Sequence, residues 1–148
     1  MNAERANTIG WREWVTLPRF CPAPIKAKVD TGAKTSSLHA EDLTVIEQDD
    51  EVLVRFEFYP ELENRETMSV ITAPVVDFRT IKSSNGQTQT RPVIRTEMEI
   101  GGRSFDIDLT LTSRSTMGHR MLLGRRFLEN RYHVDPAKSF VLTGEERP

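Results

Sequence analysis

The sequence has few of the features that would tie it to an oxidising compartment or a membrane. Its 148 residues include one cysteine, Cys21, which cannot form a disulfide within the chain. No apolar run approaches the ~20 residues that a membrane-spanning helix needs. Residues 1–14 carry charges and no apolar stretch, which argues against a signal peptide. We therefore predict a cytoplasmic protein that does not associate with membranes.

An excess of charge of one sign is also missing. The chain has 20 Lys and Arg against 22 Asp and Glu, and the formal net charge is −2. The two signs are interspersed, so neither a basic surface for nucleic acid nor an acidic tail is expected. The length suits one domain, and no stretch has the character of a linker. We therefore expect a single domain over residues 1–148.

The strongest pattern in the sequence is alternation of apolar and polar residues, which is typical of half-buried strands. It is clearest over residues 52–58, 94–100 and 104–111, and Gly101-Gly102 between the last two runs predicts a tight hairpin turn. The β-branched content of residues 25–29 and 69–76 predicts two more strands. Pro74 lies in the second of these and indicates an edge strand or a bend.

The remaining elements are short. Residues 125–131 suit one helix after Gly124, and Val134 and residues 140–142 suggest terminal strands around the Asp135-Pro136 turn. Seven or eight short strands with little helix predict an all-β fold, a small closed barrel or a sandwich.

A polar stretch over residues 79–91 separates two of the predicted strands. Asn85-Gly86 in its middle is a strong signal for a hairpin turn, and the flanks have few apolar residues to bury. We expect a hairpin that projects from the body of the protein. It would serve either as a lid over a site or as an exposed hairpin with no role.

The candidate for chemistry is Asp30-Thr31-Gly32-Ala33, which follows the predicted strand 25–29. Glycine lets the backbone turn tightly, and the threonine hydroxyl can donate and accept a hydrogen bond. The Asp30 carboxylate would then lie at the tip, held in place and still reachable. A plain turn is the alternative, because Asp and Gly are common turn residues.

Later in the chain, Met121-Leu122-Leu123-Gly124-Arg125 leads into the predicted helix. An Asp-Thr-Gly-Ala turn, a flap hairpin and then an apolar-apolar-Gly-Arg step before a helix resemble, in that order, the retropepsin family of aspartic peptidases. The chain resembles more closely a bacterial group of that fold labelled ATP-dependent zinc proteases. The segments that carry this resemblance are residues 10–15 (GWREWV), 28–40 (KVDTGAKTSSLHA) and 122–125 (LLGR).

The resemblance implies a small closed acid-protease barrel with one short helix and one pepsin-like lobe per chain. Such catalysis needs two carboxylates about 3 Å apart that share a proton, and this chain has a single Asp-Thr-Gly. The resemblance therefore implies a homodimer in which two copies of Asp30 activate water for peptide-bond hydrolysis. Thr31 and Gly32 would hold the catalytic loop. The flap, formed by Ser83, Ser84, Asn85 and Gly86, would close over the substrate.

Ala33, Lys34 and Thr35 occupy positions that line the substrate channel in the resembling fold. Retropepsins usually place two acidic residues after the alanine, where this chain has Lys34 and Thr35. We therefore hypothesise that Lys34 favours an acidic, glutamate-rich peptide or protein. The resembling group is sometimes linked with ATP-grasp enzymes that add glutamates to proteins, which makes a glutamate ligase a candidate partner by analogy.

Two other functions stay open. The group label suggests a zinc peptidase, but the chain has three histidines, no His-Glu-x-x-His motif and no phosphate-binding loop for ATP. We expect no metal and no cofactor. The other alternative is a peptide-binding module that kept the fold without catalysis, since fold does not dictate activity.

Overall fold

The computed structural model describes residues 7–61, 64–82, 85–113 and 119–144. Within these ranges there are eleven strands and one helix. The strands are β1 (Thr8–Gly10), β2 (Arg12–Val15), β3 (Ile25–Val29), β4 (Ser36–His39), β5 (Glu41–Gln48), β6 (Glu51–Phe58), β7 (Ser69–Lys82), β8 (Thr88–Ile100), β9 (Arg103–Thr112), β10 (Met121–Leu123) and β11 (His133–Asp135). The helix, α1, is Arg125–Leu128. The described helix is too short and too polar to cross a membrane.

Nine strands form one sheet, in the order β2-β3-β10-β4-β9-β8-β7-β6-β5, and β1 pairs with β11 in a small second sheet. The late strand β10 lies between two early ones. It runs parallel to β3, with Leu123 opposite Val29, and antiparallel to β4, with Leu122 opposite Ser37. This insertion brings the C-terminal third of the chain against the end of β3, where the Asp30 turn begins.

The all-β fold with one short helix agrees with the prediction. The predicted closed barrel was wrong, because the sheet formed by the described residues stays open. The ladders leave β2 and β5 at the two ends of an open sheet. Curvature brings Thr16, just after β2, next to Glu99 of β8, and their backbones exchange two hydrogen bonds of 2.9 and 2.8 Å. One bridge therefore takes the place of the continuous ladder that would close a barrel.

The two longest strands, β7 and β8, form the predicted hairpin around Asn85 and Gly86. β7 changes partner along its length: residues 69–74 pair with β6, and residues 75–82 pair with β8. Pro74 is the last residue paired with β6, and a register shift follows between Val75 and Asp77. The bend predicted from Pro74 corresponds to this register shift, which lies where β7 changes partner.

The core is built from the apolar positions of the alternating strands. They are buried together on one face of the sheet, and they include Val54, Phe56, Phe58, Ile94, Met98, Ile100, Ile107, Leu109 and Leu111. Phe20, from the loop after β2, packs edge-on against Phe56 and Phe58 at centroid distances of 5.8 and 5.6 Å. The strand periodicity read from the sequence is thus the periodicity of burial.

The predicted terminal strand over residues 140–142 is wrong, because this segment forms turns. The Phe140 N–H donates to the Arg12 carbonyl of β2 at 2.9 Å, but the N–H groups that follow bond to a side chain instead of a neighbouring strand. The carboxylate of Glu13, which is fully buried, accepts from the N–H groups of Val141, Leu142 and Thr143. The same carboxylate accepts from the N–H of Gly10 at 2.7 Å and from the Thr143 hydroxyl at 2.9 Å. We call this arrangement the Glu13 clamp.

The helix also ends earlier than the sequence suggested, at Leu128 instead of residue 131. Glu129 leaves the helical conformation with a ψ of 132°, and Asn130 has a φ of +63°. Asparagine tolerates this left-handed conformation better than most residues do, so the chain turns here and runs into β11.

Candidate active site

The Asp30 turn extends directly from β3, and its backbone is tied to β10. The Asp30 N–H donates to the carbonyl of Leu123 at 2.9 Å, which continues the β3–β10 ladder by one residue. The Gly32 N–H donates to Oδ1 of Asp30 at 2.9 Å, and the Ala33 N–H donates to the Asp30 carbonyl at 3.2 Å. The half-buried carboxylate is therefore oriented by its own loop, and its second oxygen has no bond to the described residues.

Helix α1 supports the turn from the other side. The Arg125 N–H donates to the Ala33 carbonyl at 2.8 Å, and the Arg126 N–H donates to the Lys34 carbonyl at 3.0 Å. The Arg125 side chain reaches back, and its Nη1 donates to the Thr31 carbonyl at 2.9 Å. Three carbonyls of the turn segment are thus satisfied by the first two residues of the helix, which fixes a segment with no regular structure of its own.

Gly124 makes this close approach possible. A Cβ atom built on Gly124 would lie 2.5 Å from the carbonyl carbon and oxygen of Thr35, well inside contact distance. The φ of Gly124 is −91°, which any residue can adopt. Glycine is therefore required here because there is no room for a side chain, and not because of the backbone conformation. The Gly124 N–H donates to the buried hydroxyl of Ser36 at 3.0 Å. The Gly-Arg step in the sequence therefore marks the place where two backbones touch.

A cavity of about 650 Å³ lies between the long hairpin and the strands below it, and we call it the cleft. The hairpin contributes Ile81, Lys82 and Arg91, and the strands below contribute Ser37, Thr112 and Leu122. Ser37 and Leu122 are paired in the β4–β10 ladder, so the floor of the cleft adjoins the strands that carry the Asp30 turn. Of the described residues that line the cleft, two are cations and none is acidic.

The predicted site residues fall into three groups in the structure. Asp30, Thr31, Gly32, Ala33 and Lys34 share the turn, with Thr31, Gly32 and Lys34 exposed, and Thr35 begins the segment that contacts Gly124. Asn85 and Gly86 form the hairpin tip, where Gly86 has a φ of +85° and the Gln87 N–H donates to Asn85 Oδ1 at 3.1 Å. Ser83 and Ser84, the other two predicted flap residues, lie outside the described residues.

The three histidines have different surroundings. His133 is in β11, His119 packs edge-on against Trp11 at 5.9 Å, and His39 Nε2 lies 3.2 Å from Glu41 Oε2. No group of three or more His, Cys, Asp or Glu side chains that could hold a metal occurs within the described ranges. The turn therefore has no set of ligands beside it in the described chain.

A bidentate ion pair joins Arg65 and Glu41. Arg65 donates to both carboxylate oxygens of Glu41, at 2.8 and 2.9 Å, and its guanidinium lies 3.9 Å from the centre of the Tyr59 ring. The hydrogen bonds from Arg65, followed by the contact with His39, lower the pKa of Glu41 to about 2. This cluster ties β5 to the segment before β7.

Sequence reasoning missed the supports of the turn and the charges of the cleft. Arg125, Gly124 and Ser36 were visible only as parts of a motif, because their partners are distant in sequence. A signal for these charges was present: Arg91, which lines the cleft, and Arg95 stand four residues apart in β8, so strand alternation places them on the same face.

An open, strongly bent all-β sheet with one short helix and an Asp-Thr-Gly turn braced by that helix defines the retropepsin-like class of proteins. Residues 8–145 match the family described as Retropepsin-like aspartic endopeptidase RimB, and the chain belongs to this RimB-like family.

The relatives found by sequence are longer proteins. The chain is 43% identical over 134 residues to a "Probable alpha-L-glutamate ligase" of Shewanella pealeana, and 45% identical over 134 residues to a protein of the same description from Desulfotalea psychrophila. Each match covers 90% of this chain and 29% of the relative, so the chain spans less than a third of their length.

A solved structure supports the fold. The crystal structure of Lpg0085, a protein of unknown function from Legionella pneumophila, superimposes with a TM-score of 0.73 at 28% sequence identity. The match covers 92% of this chain and 98% of that one. The fold is therefore found as nearly the whole of another chain as well as a segment of longer proteins.

Proposed function

We propose that this chain is a cytoplasmic aspartic endopeptidase that works as a homodimer of single domains. The observation that carries the proposal is the Asp30 carboxylate, which is oriented by Gly32 through one oxygen and has its second oxygen open. Across a two-fold axis, a second copy would supply the other carboxylate. The two like charges would share one proton and hold one water between them.

Each carboxyl group then has a role in peptide-bond hydrolysis. The ionised Asp30 takes a proton from the water, whose oxygen attacks the scissile carbonyl carbon. The protonated Asp30 of the second copy donates its proton to the carbonyl oxygen, which gives a tetrahedral diol. Collapse of the diol transfers a proton to the leaving nitrogen and breaks the C–N bond. Thr31 and Gly32 hold the loop, and the hairpin tip with Asn85 and Gly86 closes over the substrate and excludes bulk water.

We propose an acidic, glutamate-rich segment as the substrate. The cations Lys82 and Arg91 in the cleft support this, because no acidic side chain among its described lining opposes them. Lys34 beside the turn and its neighbours Ala33 and Thr35 remain candidate contacts with the substrate. The relatives support the same substrate, because a segment similar to this chain lies within proteins described as probable alpha-L-glutamate ligases. We propose that such a ligase, or its product, is the partner.

A peptide-binding module on the same fold is the second candidate. The open polar cleft would suit it, and it would need no second carboxylate. A zinc peptidase has less support, because no group of three or more potential metal ligands occurs among the described residues.

Cleavage of a glutamate-rich peptide by the purified chain tests the proposal, with the Asp30→Asn variant as the comparison. We expect the variant to lose about a thousandfold or more in kcat, because it removes general acid and base together. Its far-UV spectrum and its dimer mass should match those of the wild type. EDTA should leave the wild-type rate unchanged, and dilution should lower the rate per chain as dimers dissociate.

Three results would point elsewhere. Cleavage that survives in Asp30→Asn would exclude the aspartic mechanism. Loss of activity in EDTA, restored by zinc, would favour the metal enzyme. Binding of the peptide by both proteins without cleavage by either would identify a binding module.

A further inference from the structure

A second cavity, of about 270 Å³, lies beside the cleft on the same face of the sheet, and we call it the arginine pocket. Four arginines and two aspartates line it: Arg79, Arg95, Arg126, Arg131, Asp106 and Asp108. The formal charge of this lining is +2. Such an excess of cations in a concave site is the usual chemistry for binding an anion.

Two of the arginines are already engaged. Arg95 donates to both oxygens of Asp108, at 2.8 and 3.3 Å. Arg131 Nη1 donates to the Phe127 carbonyl at 2.9 Å, and its guanidinium lies over the rings of Phe105 and Phe127. These two cations shape the wall of the pocket, and their donors are partly used.

Arg79 and Arg126 are the cations with capacity to spare. The Nε of Arg79 is buried and has no hydrogen-bond partner among the described residues, and the same is true of the Thr110 hydroxyl in the same pocket. The backbone N–H of Arg126 bonds to Lys34, and its exposed side chain lines the pocket beside Thr35. A buried donor without an acceptor costs free energy until a ligand supplies one.

The register of the strands connects this pocket to the cleft. On β7, Ile81 faces the cleft and Arg79 faces the pocket; on β8, Arg91 faces the cleft and Val93 faces the pocket. On β9, Thr112 and Thr110 divide in the same way. The cross-strand pair Val93–Thr110 lies within the pocket, and the pair Arg79–Arg91 spans the boundary between the pocket and the cleft. The arginine pocket therefore lies one two-residue step from the cleft, about 7 Å farther from the hairpin tip.

An extended peptide repeats its same-side residues at this spacing. Consider a peptide that has one side chain in the cleft and runs parallel to β7 and β8, away from the hairpin tip. Its next side chain on the same side then reaches the arginine pocket. We propose that Arg79 and Arg126 form a distal specificity subsite that binds the carboxylate of an acidic substrate residue. This inference rests on the proposed function for its substrate, and it assigns the charge selection to residues outside the turn that carries Asp30.

The test measures binding separately from cleavage. In the Asp30→Asn chain, a fluorescein-labelled decapeptide of glutamates is compared by anisotropy with decapeptides in which one Glu is replaced by Gln. We expect one substrate position at which Gln weakens binding about tenfold, the loss of one charge-assisted contact. In Arg79→Gln and Arg126→Gln chains that also carry Asp30→Asn, peptides with Glu and with Gln at that position should bind equally. Arg19→Gln, at an exposed arginine between β2 and β3, is the matched control and should keep the discrimination.

Thermal unfolding of each variant checks that the fold is intact. If Arg79→Gln unfolds, Arg79→Lys and Arg126→Gln still test whether the pocket selects an acidic residue. The subsite is overturned if the Glu-to-Gln ratio at every position is the same in the arginine variants as in the control. It is also overturned if the chain binds the glutamate and glutamine decapeptides equally. The wild-type chain is assayed for cleavage in parallel, so a chain that binds selectively and cleaves nothing disproves the peptidase and keeps the subsite.

Discussion

Two carboxylates at neighbouring strands, Asp30 and Glu13, differ in burial and in hydrogen bonding. β2 and β3 are antiparallel partners, with Glu13 opposite Ala27, so the two acids belong to one small part of the sheet. Glu13 is fully buried and accepts hydrogen bonds from five donors. Asp30 is half-buried and accepts from the N–H of Gly32 alone among the described residues.

The difference separates a structural acid from one that is available to a ligand. Both oxygens of Glu13 are occupied by backbone and hydroxyl donors, so this carboxylate holds residues 141–143 and has nothing left for a ligand. Asp30 keeps one oxygen open at the tip of a braced turn. The extent to which its oxygens are already satisfied tells more about a carboxylate's role than its burial does.

The largest effect on folding stability is expected at Glu13. Glu13→Gln turns one acceptor into an NH₂ group that faces N–H donors, so we expect about 3 kcal/mol less free energy of unfolding. Urea titration measures it. Asp30→Asn is the matched control and should change stability by less than about 0.5 kcal/mol, because the amide oxygen can still accept from Gly32. Equal losses in the two variants would erase the distinction between the acids.

The next effect is expected at the contact that supports the turn. In Gly124→Ala the new methyl group meets the Thr35 backbone at 2.5 Å, so α1 or the turn must move. We expect a loss of about 2 kcal/mol in stability together with a lower rate of peptide cleavage.

Gly32→Ala sharpens the comparison with Gly124. A methyl group added at Gly32 would lie 3.1 Å from the Asp30 carboxylate oxygen, and it would not come that close to any backbone atom. We expect a smaller change in urea-induced unfolding and a clear loss of cleavage. A larger loss of stability in Gly32→Ala than in Gly124→Ala would contradict the assignment of Gly124 as the tight contact.

The smallest effect concerns a third carboxylate, Glu41, which is paired and partly exposed. Its pKa is lowered from 4.5 to about 2 by the hydrogen bonds from Arg65. Because the folded pKa lies below the unfolded one, this group stabilises the fold above about pH 4.5, and the contribution fades as pH falls toward 2. The difference in stability between wild type and Glu41→Gln should shrink over that interval, as followed by thermal unfolding. A difference that is constant with pH would contradict the ion pair.

The strands and the Asp30 turn were predictable because their signals are local. Alternation over residues 52–58 and 94–100 dictates which side chains face the core, and Asn85-Gly86 and Gly101-Gly102 mark hairpin turns. The motif at Leu123-Gly124 placed the helix. These features depend on residues close together in the chain, where periodicity and turn chemistry act directly.

The rest depended on contacts that are distant in sequence. In Arg12-Glu13-Trp14-Val15 the glutamate is buried and Trp14 is partly exposed, which no hydrophobic pattern predicts because the donors come from residues 141–143. The two strands of the projecting hairpin are polar near its tip. Their full length was not predictable from a pattern of buried residues, because it depends on the pairing between β7 and β8.

The insertion of β10 between β3 and β4 has a consequence for the order of folding. β3 and β4 follow one another closely in the chain, yet they meet only through a strand that is synthesised much later. The Asp30 turn likewise gains its bonds from Leu123 and Arg125 only after those residues have left the ribosome. Contacts of such long range close slowly. A nascent or truncated chain that ends before β10 therefore carries the Asp-Thr-Gly motif without the contacts that orient it.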